Sequence, residues 1–116
     1  MKNKSLILVV DEHGQNATYI ANFLENKGYK TLEANSGKDG VKIAKEKKPN
    51  LIIADLSLYD IEVFEFAKAL SEIKILFMGK NHISEAKIAN IKNSIGIIPK
   101  PVDIEKILEI LKEEKI

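Results

Sequence analysis

Short apolar runs alternate with amphipathic segments along the whole of this 116-residue chain, and few folds accept that order. Continuous Val/Ile/Leu runs suit strands covered on both faces, and amphipathic segments between them suit crossover helices. The strands read as residues 5–10, 29–34, 51–54, 74–78 and 95–99. A first helix over 14–27 is marked by Ala17, Ile20, Ala21 and Leu24 at helical spacing, with Gly28 as its C-cap. Ser36-Gly37 opens a second helix through about Lys48, with Val41 and Ala44 inward and lysines outward. Val63, Phe66, Ala67 and Leu70 mark a third helix. Ser84 is placed to cap a fourth helix to about Asn93, and Asp103 caps the last, lined by Ile104, Ile107, Leu108 and Leu111. Right-handed crossovers then wrap helices on both faces of a five-stranded parallel sheet, a doubly wound α/β fold. The second strand is polar and the fifth ends in Pro99, which cannot donate to a ladder, so both belong at sheet edges.

Composition narrows the function. With 45% hydrophobic and 30% charged residues the chain reads as an ordinary soluble globular protein, a single domain over 1–116. A net charge of +1 provides no bulk field for nucleic acid or an anionic membrane. Lys38, Lys42, Lys45, Lys47 and Lys48 are read as a solvated helix face, lacking arginine or aromatic support for nucleic-acid contact. Without cysteine there are no disulfides, thiolate metal sites or cysteine nucleophiles. The run after the first lysines is too short for a signal peptide, and no stretch approaches the roughly 18 apolar residues of a membrane span, so a cytoplasmic location is expected. DEHGQN after the first strand has one glycine, which argues against a Rossmann fingerprint or P-loop.

Three strands run into charged residues: the first into Asp11-Glu12, the third into Asp55, the fifth into Lys100. Open parallel sheets place their sites outside the carboxyl ends of the strands, so these side chains are expected to share a pocket. Clustered carboxylates repel unless a cation joins them. Mg²⁺ prefers oxygen ligands and often takes one or two carboxylates plus phosphate oxygens. An aspartate can act as a nucleophile toward phosphorus, with a metal and a lysine stabilising charge on the transferred group. His13 is read as a polar start to the first helix at the pocket rim rather than as a metal ligand, because the acids suit Mg²⁺ better than softer ions. His82 lies far from it in sequence.

In its order and spacing of ILVVDE, LIIAD and PKP, the chain resembles the receiver domains of two-component response regulators over essentially its whole length. That resemblance implies a (βα)5 flavodoxin-like fold with strand order 2-1-3-4-5. It implies Asp55 as phosphoryl acceptor, Lys100 as the lysine on the phosphoryl group, and Asp11, Glu12, Asp55 and the Ser57 carbonyl as Mg²⁺ ligands. The donor would be a sensor histidine kinase or a histidine phosphotransfer protein, and the output an effector protein. The chain would not be an enzyme beyond slow self-dephosphorylation.

Departures from the family pattern are equally legible. The usual Thr or Ser at the end of the fourth strand is Gly79, and a hydrogen bond to a charged group is worth about 1.5–3 kcal/mol. The usual Tyr or Phe three residues before the lysine is Ile97. Tyr59-Asp60-Ile61-Glu62-Val63 replaces a Pro-Gly-containing loop, and Lys80 stands where a small residue is common. A phosphate relay or sink fits these departures, as does a degenerate module that binds partners without phosphorylation. A phosphohydrolase is the weakest option, since no separate acid–base pair is visible.

Overall fold

The computed structural model describes residues 5–79 and 85–116. Lys80, His82 and the Ser84 cap lie outside the described residues. The elements alternate as expected: β1 Leu6–Val10, α1 Gly14–Asn26, β2 Lys30–Ala34, α2 Gly37–Lys47, β3 Leu51–Asp55, α3 Val63–Ala69, β4 Lys74–Met78, α4 Glu85–Ala89, β5 Ser94–Ile98 and α5 Ile104–Glu113. All strand pairs are parallel in the order β2-β1-β3-β4-β5, with the polar β2 and β5 at the edges.

Side-chain alternation along the strands divides the core in two. Ile7, Val9, Leu51, Ile53, Leu76 and Met78 pack with Ala17, Ile20 and Leu24 of α1 and with Ile107 and Leu111 of α5. Leu8, Val10, Ile52, Ala54, Ile75 and Phe77 face the other way, onto Ala44 of α2, Val63 and Phe66 of α3, and Ile88 of α4. The two layers bury the strands on both faces, which is why β3 is apolar throughout until its terminal aspartate. In β5 a register shift between Ile75 and Leu76 leaves Ile95 as an extra residue, so Ile95 and Ile97 face opposite layers.

Helix ends follow the sequence signals closely. Ser36 Oγ accepts from Asp39 N–H, and Asp103 accepts from Glu105 N–H. After α1, Gly28 N–H donates to the Glu25 carbonyl and Tyr29 N–H to that of Leu24, the paired bonds of a Schellman ending. The fourth helix is shorter than expected: it stops at Ala89 rather than near Asn93. Asn93 is instead committed elsewhere, its amide nitrogen donating to the carbonyls of Ala67, Leu70 and Ile73 around the end of α3. Strand β5 ends at Ile98, and Pro99 lies just beyond it, exposed.

Candidate functional site

Asp11 follows β1, Asp55 closes β3, and Lys100 lies two residues past β5. Because β1 and β3 are neighbours, the two aspartates are brought together at the carboxyl edge of the sheet, and both are buried. Strand β4 separates β3 from β5, so Lys100 reaches across the end of β4. Its Nζ stands 2.8 Å from Asp55 Oδ2 and 3.1 Å from Asp11 Oδ2. Asp11, Asp55 and Lys100, distant in sequence, meet here, whereas Glu12 of the expected set is exposed and does not join them. The peptide bond after Lys100, to Pro101, is cis.

Each aspartate is also fixed by the amide two residues along. His13 N–H donates to Asp11 Oδ1 at 2.8 Å, and Ser57 N–H to Asp55 Oδ1 at 2.9 Å. These local turns suit short carboxylate side chains and aim the remaining lone pairs into the pocket. Asp11 receives a further bond from the Asn16 amide on Oδ2, and its backbone carbonyl accepts from Asn35 Nδ2 at 3.3 Å. Neither asparagine was legible as part of the site. Asn16 reaches Asp11 only because α1 begins where it does, and Asn35 only because β2 lies beside β1.

The electrostatics follow from these contacts. Burial by itself raises the Asp11 carboxyl, but hydrogen bonds from Asn16, the His13 amide and Lys100 outweigh it and hold its pKa below the ordinary value. Burial acts to lower the Lys100 ammonium, and its bonds to Asp55 and Asp11 reverse the sign, leaving it raised. The site is a lysine clamped between two aspartate side chains.

Asp11, His13 and Asp55 each offer a ligand atom within 4.8 Å of the others. Two buried carboxylates that close together fit a divalent cation, and their hard oxygens fit Mg²⁺. Glu12 is exposed and stands outside that group, and Ser57 is exposed on the loop leaving β3. His13 is the N-cap residue of α1 but its side chain makes no capping bond; Nδ1 lies 3.4 Å from Asp11 Oδ1.

At the end of β4, Gly79 has φ of +132°, where residues with a side chain are strained, and a Cβ there would stand 3.7 Å from Asp55 Oδ1. The position therefore faces the Asp55 carboxylate, in a backbone conformation suited to glycine. Ile97 is partly buried beside Phe77 on the α3–α4 side of the sheet and fills that space without a polar group. A groove of about 430 Å³, lined by His13, Asn16, Tyr19, Lys100, Pro101 and Val102, opens next to the site. The basic residues of α2 are exposed, and no helix among the described residues is long and apolar enough to cross a membrane.

Known proteins share this fold. The family described as response regulator receiver domain matches residues 7–112. The alkaline phosphatase synthesis transcriptional regulatory protein PhoP of Bacillus subtilis is 35% identical over 71 residues, covering 61% of this chain and 30% of PhoP. Protein PilH of Pseudomonas aeruginosa is 24% identical over 110 residues, covering 89% of this chain and 91% of PilH. The crystal structure of a CheY-like response regulator receiver domain protein from Methanospirillum hungatei is similar with a TM-score of 0.86 at 25% identity, covering 97% of this chain and 94% of that one. The chain thus spans less than a third of PhoP and nearly all of PilH.

Proposed function

The chain belongs to the response regulator receiver domain family, and on that premise we propose that Asp55 accepts a phosphoryl group in a two-component phosphorelay. The donor is a phosphohistidine on a sensor histidine kinase or a histidine phosphotransfer protein, and the compartment is the cytoplasm. Asp11, Glu12, Asp55 and the Ser57 carbonyl would hold Mg²⁺, two of these residues, Glu12 and Ser57, being exposed. Bound there, Mg²⁺ supplies charge neutralisation for an anionic donor and for the phosphoryl oxygens in transfer.

One observation carries the reading: Lys100 Nζ sits 2.8 Å from the acceptor carboxylate. Asp55 attacks phosphorus, an O–P bond forms, and the P–N bond to the donor imidazole breaks as that ring takes up a proton. Lys100 is already positioned to turn from the carboxylate to the incoming phosphoryl oxygens, so charge is met without assembling a new cation. The acyl phosphate is then lost by slow self-hydrolysis, which is not turnover in the enzymatic sense.

A second reading, an interaction module that works without phosphorylation, is favoured by Gly79 and Ile97, which remove the hydroxyl and the ring of the family's usual readout. An effector would then bind the same fold in either state. Labelling by a small acyl phosphate separates the two. Mg²⁺-dependent incorporation that Asp55→Asn abolishes supports the relay; labelling of that variant equal to wild type, or none with donor or kinase, rejects it. Beryllofluoride that binds at Asp55 with no change in effector affinity supports the module.

A further inference from the structure

We propose that His13 is a nitrogen ligand of the cation site, so that the site accepts a borderline divalent ion such as Zn²⁺ in a way that carboxylates alone do not provide. The inference rests on the reading that Asp11 and Asp55 hold a cation, and it adds a side chain that the acid pair does not include.

Geometry argues for it first. His13 begins α1 in an extended conformation, where a polar side chain would ordinarily fold back onto the helix amides, yet its imidazole makes no such bond. It turns instead toward the pocket, with Nδ1 3.4 Å from Asp11 Oδ1. Charge-assisted N–H···O bonds are shorter, at about 2.7–2.9 Å. Two ligands on a tetrahedral ion with bonds of about 2.0–2.1 Å stand about 3.3 Å apart, whereas neighbouring ligands on octahedral Mg²⁺ stand about 2.9 Å apart. The observed separation matches the tetrahedral edge.

The two oxygens of Asp11 divide the work. Oδ2 takes Lys100 and Asn16, while Oδ1 takes the His13 amide and faces the imidazole. An oxygen of Asp55 lies within the same 4.8 Å cluster. At 73% side-chain exposure the His13 ring is open to an arriving ion, and the groove beside Asn16 and Tyr19 leaves room for a water as the fourth ligand. Imidazole suits Zn²⁺, Ni²⁺ and Cu²⁺, while Mg²⁺ rarely gives up oxygen for nitrogen. His13 thus acts on ion choice rather than on whether any cation binds.

Calorimetric titration of the full chain with Zn²⁺ and, separately, with Mg²⁺ tests this, comparing wild type with His13→Asn, which retains a good helix cap. His82→Asn controls for the chain's other histidine. The preference for Zn²⁺ over Mg²⁺ is expected to fall about tenfold or more in the His13 variant, and to stay at the wild-type value in the His82 variant. Co²⁺ bound to wild type should give the intense visible absorption of a tetrahedral ion, and the His13 variant should lose it. An unchanged preference, or an absorption indifferent to His13, overturns the assignment. Wild-type protein that binds neither ion rejects the underlying cation site as well, so the two failures are distinguishable.

Discussion

Asp60 and Gly37 are joined across the gap between the loop after β3 and the first turn of α2: Gly37 N–H donates to Asp60 Oδ1 at 2.8 Å. Lys38 N–H donates to the other carboxylate oxygen at 2.9 Å, and Ser36 takes the next amide through its hydroxyl. Together with the Gly40 bond to the Ser36 carbonyl, these contacts satisfy the helix's first four N–H groups, two of them from another part of the chain. Desolvation opposes ionisation of Asp60, and the amides of Lys38 and Gly37 outweigh it, holding its pKa below the ordinary value. Gly37 allows the close approach, since a Cβ there would fall 2.2 Å from Ile61 Cγ2.

That latch anchors the loop carrying Ser57 at the pocket. Replacing Asp60 by Ala is expected to accelerate amide exchange at Gly37 and Lys38 by about tenfold, and to weaken Mg²⁺ binding without touching any side-chain ligand. Gly37→Ala should loosen the same loop by pushing Ile61 away. Exchange mass spectrometry with a Mg²⁺ titration measures both; unchanged loop exchange in both variants contradicts the latch.

Removing the Lys100 ammonium leaves two buried carboxylates facing each other. Lys100→Met is expected to cost about 1–3 kcal/mol near neutral pH in metal-free buffer, below the full cost of a wholly buried pair because the lysine is partly exposed. Mg²⁺ should restore part of the loss. The pH dependence has a definite sign. Lys100, raised in the folded state, contributes fully below its ordinary 10.5 and loses that contribution as pH rises through the higher folded value. Asp11, lowered, contributes above 3.8 and loses that contribution as pH falls through its folded value. Urea titrations should therefore show the gap between wild type and variant narrowing at both extremes. A gap that is constant with pH contradicts the clamp.

Restoring a hydroxyl at the end of β4 should not be a simple repair. Gly79→Ser places a side chain on a backbone with φ of +132°, at an expected cost of about 1–3 kcal/mol. Chemical denaturation measures the loss, and phosphodonor labelling shows whether the hydroxyl contributes. Full stability in the variant would mean that the strand end adapts without strain.

Asn93 holds the end of α3 to the turn before β5 through three backbone carbonyls. Asn93→Ala is expected to lower stability by about 1–2 kcal/mol, seen as a lower urea midpoint with an unchanged slope. An unchanged midpoint would show that water replaces the amide at no cost.

Elements and their inward faces were legible because each is a local pattern: Ala17, Ile20, Ala21 and Leu24 repeat at helical spacing, and all are buried. The same holds for the placement of Asp11, Asp55 and Lys100, since a charged residue closing an apolar run in a parallel sheet has one edge to occupy. What tertiary structure alone decided are contacts between segments that carry no mutual signal. Asn93 is as plausible a helix residue as an anchor for α3, and nothing in Tyr59-Asp60-Ile61 names Gly37 as its partner. The direction of the His13 ring and the backbone angle at Gly79 depend on how neighbouring strands end relative to one another. Periodicity is a property of one segment and its solvent, whereas these distances are set by how separate segments pack together.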